Sequence, residues 1–314
     1  MLPIIRRTKL LYALYNFFHH AQLAHNEKGF KKWGLKKKYY APVSSKDFNG
    51  LPAYETENAD PEKLRSDQLF NSLDEAAQQS LLQFANNGYA VVRGYLTEQQ
   101  VDAVNAEIAK LLEQKKISFN SSHKLMFAIH VSPLLHDIGT NKQLNEMLSC
   151  LIGGPARLFS SINFLMGSEQ ATHSDSIHMT TYPLGGLLGV WFALEDITEE
   201  NGPLHYFPQS HKLPYYLNRD YNNEGNFFFL GKKSYTDYES MIAEKIQEQK
   251  LDKIKFLAKK GDMLIWHANL FHGGDPHLNK QKTRKSMVLH YFNEEAICYH
   301  EITQRPALLR TDLG

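Results

Sequence analysis

Beyond residue 155 the chain breaks into short apolar or alternating runs: Arg157 to Leu165, Leu187 to Leu194, Leu204 to Phe207, Ile254 to Ala258, Met263 to His267 and Ser286 to Phe292. Clusters of Gly, Pro and Asn separate them. Strand-length runs punctuated by turn residues are the pattern of a double-sheet jelly roll. Ahead of them the pattern is helical. Ser72-Leu73-Asp74-Glu75 reads as a capping box opening a helix that stops at Asn86-Asn87-Gly88. Tyr89 to Tyr95 follows as a strand, and Thr97-Glu98-Gln99-Gln100 opens a second helix with an apolar stripe of Val101, Val104, Ile108, Leu111 and Leu112. The expected fold is mainly β with flanking α-helices and a double-stranded β-helix (jelly-roll, cupin-like) core.

Within the β-rich part stand His173-Ser174-Asp175 and, 97 residues beyond Asp175, His272-Gly273-Gly274, with Arg284 a further 12 residues on. In a chain with 15 histidines, about one His-x-Asp arises by chance, so the spacing alone decides little. On an extended strand, however, residues two apart share a face, which brings His173 and Asp175 within reach of one ion. Two imidazoles and a carboxylate suit one face of Fe(II), leaving the opposite face for substrates. Arg284 can then grip the distal carboxylate of 2-oxoglutarate through its planar guanidinium fork, with Ser286 on the same strand face. His178 and His267 are further histidines able to point into such a pocket.

The surrounding words match a family. Residues 167–211, GSEQATHSDSIHMTTYPLGGLLGVWFALEDITEENGPLHYFPQSH, and residues 261–292, GDMLIWHANLFHGGDPHLNKQKTRKSMVLHYF, resemble the phytanoyl-CoA dioxygenase family of Fe(II)/2-oxoglutarate-dependent oxygenases. The segment Leu73 to Leu112 is similar to that family's opening helix, strand and helix. The resemblance implies that His173, Asp175 and His272 ligate iron, that Arg284 and Trp191 contact the cosubstrate, and that O2 and 2-oxoglutarate are consumed with release of succinate. It also implies plain oxidation, since related halogenases lack the carboxylate that Asp175 supplies here. Two departures matter. The chain has Pro208-Gln209-Ser210-His211 where relatives commonly have Pro-Gly-Ser-His, so that turn has no glycine for a positive φ. Gly274 stands where some relatives have a cosubstrate-holding serine, a role assigned here to Ser286.

Residues 1–70 read as a basic, aromatic-rich N-terminal extension and 71–314 as the oxygenase domain, with a substrate-side insertion at 212–251. The insertion contains a loop from Asn218 to Asn226, a helix from Asp237 to Lys250 begun by Thr236 and Glu239, and six aromatics, Tyr215, Tyr216, Tyr221, Phe227, Phe228 and Phe229, placed to wall a pocket. Residues 1–40 hold nine Lys/Arg against Glu27, a net of +8, which leaves −7 for the remainder of a chain whose total is +1. That balance argues against general nucleic-acid binding. Two readings of the basic segment stay open: a helix with Leu10, Leu11, Leu14, Phe17 and Phe18 on one side that touches the inner face of an anionic membrane, or aromatics packed on the β-roll beneath solvated lysines. The apolar stretch is too short to span a bilayer and unlike a secretory signal, and Cys150 and Cys298 read as free thiols, so the expected location is cytoplasmic. A zinc hydrolase using the same three ligands and a non-catalytic β-roll binding protein are the rivals. The substrate, a small metabolite, a lipid or a glycan precursor, and the oligomeric state are not specified by the sequence.

Overall fold

The computed structural model describes residues 4–51 and 60–310. Its strands are β1 (Tyr89–Val92), β2 (Leu125–Met126), β3 (Ala156–Phe164), β4 (Met179–Tyr182), β5 (Leu187–Ala193), β6 (Leu204–Tyr206), β7 (Ile254–Phe256), β8 (Met263–His267), β9 (His272–Gly274), β10 (Ser286–Asn293), β11 (Ile297–His300) and β12 (Arg305–Pro306). A large sheet runs in the order β1-β8-β5-β10-β3-β2, and two small sheets run β12-β11-β4 and β7-β6-β9. The fold is the expected jelly-roll type, flanked by helices.

Strict side-chain alternation divides the large sheet into two faces. Met287, Leu289 and Tyr291 of β10, Leu188, Val190 and Phe192 of β5, and Met263 and Ile265 of β8 join the largest apolar cluster. That cluster includes Val101, Val104, Ile108 and Leu111 of the Glu98–Glu113 helix and Leu144, Met147, Leu148 and Leu151 of the Lys142–Ile152 helix, so the helices cover this outer face. The opposite residues, Trp191, Leu264, Trp266 and Val288, pack with Leu204, Tyr206 and Phe256 of a small sheet. Alternation thus reserves one face for stability and turns the other toward the space between the sheets.

Several boundaries move from their sequence-based positions. The first helix of the β-proximal part is Glu75–Leu82, capped by the Asp74 carboxylate on the Ala77 N–H and not by Ser72. The insertion's helix is Tyr235–Glu248, capped by Ser234 in a box with Asp237, two residues earlier than the Thr236 start. In both cases a neighbouring oxygen reaches the orphan N–H at N3, where any Ser, Thr or Asp serves. The turn at Pro208-Gln209-Ser210-His211 adopts the left-handed conformation without glycine: Gln209 has φ 66° and donates its N–H to Asn87 O at 2.9 Å.

The N-terminal segment is joined to the core. Phe30, Val43 and Phe48 form an apolar cluster with Tyr182, Ile297 and Tyr299, and Ser45 donates its backbone N–H and hydroxyl to the buried Glu301 carboxylate. Leu64 and Phe70 belong to the same cluster as the large sheet's outer face, so packing is continuous across residue 70.

A left-handed conformation costs a residue with a Cβ on the order of 1 kcal/mol or more, and the Gln209 side chain is exposed. Gln209→Gly is therefore expected to stabilise the protein by about 0.5–1 kcal/mol after allowance for glycine's greater unfolded entropy. Urea unfolding checks this, and a loss of stability would assign Gln209 a holding contact that outweighs the backbone strain.

Candidate active site

The site is assembled by one backbone pairing. His173 lies outside the named strands, and its N–H and C=O exchange 2.9 Å hydrogen bonds with the C=O and N–H of His272 at the start of β9. Loops remote in sequence are thereby held with the two imidazoles 4.6 Å apart, centre to centre. His173 Nδ1 lies 2.9 Å from Ala171 O, and His272 Nδ1 lies 2.9 Å from Leu270 O. Each Nδ1 therefore carries the proton and donates it to a carbonyl, which leaves Nε2 of each ring as the ligating atom, met at His173 by the Gln170 amide at 3.2 Å that a metal would displace.

Asp175 completes the set. Its Oδ1 is 3.9 Å from His173 Nε2 and 3.6 Å from His272 Nε2, and one ligand atom from each of the three residues lies within 4.8 Å of the others. Its Oδ2 accepts a 2.7 Å hydrogen bond from the Trp266 indole N–H, so the carboxylate is oriented with the other oxygen toward the histidines. Gly189 on the adjacent strand makes this possible, because a Cβ there would lie 2.3 Å from the Trp266 ring. Burial works against ionisation of Asp175, yet the imidazoles of His272 and His290 more than offset it and hold the carboxyl well below its usual range. Burial, reinforced by the neighbouring His272, pushes His173 well below its ordinary value and keeps it neutral. A neutral His173 and an ionised Asp175 are in the protonation states that ligating a divalent metal requires.

Behind the triad, the insertion acts as a brace. Tyr238 of the Tyr235–Glu248 helix is fully buried, and its hydroxyl lies 3.0 Å from Ser174 Oγ, between the two motif ligands in sequence. Tyr235 accepts from Gln170, whose amide also lies 3.2 Å from His173 Nε2. The insertion's aromatics do not wall the cavity as their composition suggested. Tyr221 packs on Tyr238, Tyr216 on Phe271 and Tyr215 on His267, while Phe227 and Phe228 are exposed.

Arg284 is buried between the rings of Phe164 and Trp191, with its guanidinium carbon 5.6 and 5.9 Å from their centres. It donates through Nε to Gly202 O and through Nη1 to Ser286 Oγ, at 3.2 and 2.8 Å. Among the described residues it forms no ion pair with a carboxylate. Glu195, the acid that acts on it, spends its two oxygens on the Lys285 N–H and the Thr283 hydroxyl. Burial lowers the guanidinium to about 10, so it stays charged at neutral pH. Gly167, at φ 71°, passes over it where a Cβ would lie 2.8 Å from Nε. The Trp191 indole N–H is buried and has no partner among the described residues. Ser286 does not line the cavity. Its hydroxyl orients Arg284 from behind, and Ser168 stands near Gly274 on the cavity side, 3.3 Å from where a Cβ of residue 274 would be.

One cavity of about 590 Å3 contains the three candidate ligands, Trp191 and Arg284. His178 lines it, whereas His267 is buried beside His211 and Tyr215 and does not. Sequence reasoning passed over His290 and Trp266. Both continue an alternation already visible: Arg284, Ser286, Val288 and His290 share one face of β10, and Leu264 and Trp266 share one face of β8. Further lining comes from segments with no motif, including Lys124, His130, Arg305 and Arg310.

Removing the indole N–H that holds a ligating carboxylate typically weakens metal binding tenfold to a hundredfold. Trp266→Phe is expected to show such a loss for Fe(II) or a Co(II) surrogate by calorimetric titration, with folding retained. Wild-type affinity in this variant would show that Asp175 is oriented by something other than Trp266.

Residues 84–286 match the model of the phytanoyl-CoA dioxygenase family. A phytanoyl-CoA dioxygenase domain-containing protein 1 homolog from Dictyostelium discoideum is 22% identical over 269 residues, covering 68% of this chain and 90% of that protein. Among solved structures, the non-heme alpha ketoglutarate dependent carbocyclase SnoK superposes with a TM-score of 0.59 at 18% identity, over 73% of this chain and 87% of its own. The epimerase SnoN, solved with Fe3+, alpha ketoglutarate and nogalamycin RO, superposes with a TM-score of 0.55 at 21% identity, over 73% and 87%. The last two similarities establish the shared fold, and the family model spans well over half of the sequence, catalytic motifs included. This chain belongs to the phytanoyl-CoA dioxygenase family of Fe(II)/2-oxoglutarate-dependent oxygenases.

Proposed function

We propose that the protein hydroxylates an aliphatic carbon of an anionic organic substrate, using Fe(II), 2-oxoglutarate and O2. The observation that carries the cosubstrate assignment is Arg284. A buried guanidinium with no carboxylate partner, in the same cavity as a two-histidine, one-carboxylate set, is suited to receive the far carboxylate of a dicarboxylate. A zinc hydrolase would leave that cation without a role.

His173 Nε2, His272 Nε2 and Asp175 Oδ1 would hold the iron, which when bound supplies the oxidising chemistry with O2. The chain's own residues set the geometry. Carbonyls 171 and 270 fix the two imidazoles, Trp266 fixes the carboxylate, and Arg284 with the free Trp191 N–H orients the cosubstrate. The inner wall of Phe164, Ile162, Val288 and Leu204 is apolar, and it excludes water from the space where a C–H bond would sit. Lys124, which donates to Gln170 beside His173, together with Arg305 and Arg310 gives the cavity three cationic groups, which favour a substrate bearing a carboxylate, phosphate or sulfate.

Arg284→Ala is expected to raise the 2-oxoglutarate concentration needed for half-maximal succinate release roughly thirtyfold or more, as loss of one side of a buried charge pair implies, while iron binding changes far less. Arg284→Lys should recover little, because a point charge does not reproduce the fork. An unaltered cosubstrate titration in both variants would move the anchor elsewhere. His173→Ala, Asp175→Ala and His272→Ala are each expected to lose iron and succinate release while staying folded, as metal analysis and circular dichroism would show. Near-wild-type iron content in any one of them would remove that residue from the set.

A further inference from the structure

Two exposed apolar elements, far apart in sequence, are fastened side by side at the cavity mouth. The first is the Lys9–Phe18 helix. Leu10, Leu14, Phe17 and Phe18 lie within one arc of it and are 73%, 52%, 52% and 71% exposed, while Asn16 on the opposite side is buried and donates to Tyr40 O at 2.9 Å. The second is the turn at Phe227 and Phe228, 85% and 66% exposed. Lys9 donates its N–H to Phe228 O at 2.9 Å, Thr8 bridges to Phe229, and the buried Arg7 guanidinium grips Leu230 O and Gly231 O. These bonds turn two small apolar surfaces into one patch, larger than scattered surface hydrophobics require.

The patch adjoins the mouth through the same helix. Tyr15, half exposed, stacks on His19 with ring centres 4.0 Å apart, and both line the cavity. The Arg305 guanidinium stands 5.8 Å from the Tyr15 ring centre. Exposed cations border the patch, together with the carboxylates of Asp47 and Glu224 that act on Lys9. Arg6 is exposed near the start of the helix, Lys232 follows the Phe227–Phe228 turn, and Lys38 sits over the Tyr40 ring, itself 6.1 Å from Phe17. Residues 1–40, which supply the patch helix, carry +8 while the remainder carries −7. An apolar surface bordered by unpaired cations complements an interface of acyl chains beneath anionic headgroups.

We propose that this patch docks the protein on an anionic phospholipid bilayer, setting the cavity mouth against the lipid surface. Among the described residues no helix is long and apolar enough to cross a membrane, so the attachment is peripheral. It does not depend on the reaction assigned above, because none of the six apolar residues lines the cavity or touches the metal ligands.

The test is co-sedimentation of the full chain with phosphatidylcholine vesicles containing about 30% phosphatidylserine and with vesicles of phosphatidylcholine alone. Binding is expected to the anionic vesicles, to weaken strongly at about 0.5 M salt, and to be kept by His173→Ala, which separates docking from catalysis. The Leu14→Glu/Phe18→Glu variant should bind at least about tenfold more weakly, and Phe227→Ser/Phe228→Ser should also lose affinity although it lies on the other element. The second variant decides the matter should the first fail to fold. Failure of the wild type to bind anionic vesicles, or wild-type binding by the Phe227→Ser/Phe228→Ser variant, overturns the proposal. So does a dimer by light scattering that these substitutions dissociate in a protein that ignores vesicles, since the patch would then belong to a second copy.

Discussion

The reciprocal hydrogen bonds between the backbones of His173 and His272 are the constraint on which the rest of the site depends. Each histidine lies at a place where a loop approaches a short sheet, and neither is fixed by a long strand of its own. Their pairing sets the separation of the two imidazoles, and the carbonyls two residues earlier in each chain segment set the ring orientations. Because the positioning groups are peptide units, they tolerate change in the surrounding side chains. The carboxylate is held differently: Asp175 relies on side chains, Trp266 foremost with His290 beside the same oxygen, and Trp266 relies on the absence of a side chain at residue 189. The metal-binding set therefore rests on a robust half and a fragile half.

The site's chemistry was legible in the sequence where it is carried by short-range pattern. The His-x-Asp step, the glycine pair after His272 and the alternation leading from Arg284 into β10 are local facts about strands and turns. The main strands of the jelly-roll core, β1, β3, β5, β6, β7, β8 and β10, were legible for the same reason, by their own period and bounding turns, whereas β2, β4, β9, β11 and β12 were not read as strands. Helix starts were displaced by a few residues because Ser72, Asp74, Ser234 and Thr236 are all chemically able to cap. Which oxygen reaches the free N–H depends on backbone angles that composition does not encode.

Long-range closure left no such trace. Further lining of the cavity, from Tyr15 through Lys124 to Arg305, is drawn from three remote segments that share neither a motif nor a period. The aromatic-rich insertion misled for a related reason: Tyr215, Tyr216 and Tyr221 have the composition of a pocket lining and are spent on packing against His267, Phe271 and Tyr238. Ser286 shows the limit of face-sharing as an argument. It lies on the face of β10 that alternation assigns it, yet its hydroxyl is engaged by Arg284 and does not line the cavity.

Arg284 also bears on the stability of the molecule as a whole. Among the described residues this buried cation has no ion-paired carboxylate, and Glu195, the acid that acts on it, is spent on Lys285 and Thr283, so a dicarboxylate bound there as proposed would stabilise the folded state. Folding and cosubstrate concentration are then linked quantities: a ligand present at a hundredfold excess over its dissociation constant adds about 2.7 kcal/mol to the folded state. The cellular lifetime of the protein would thus follow the supply of 2-oxoglutarate, and a shortage of that metabolite would reduce the amount of enzyme as well as its rate.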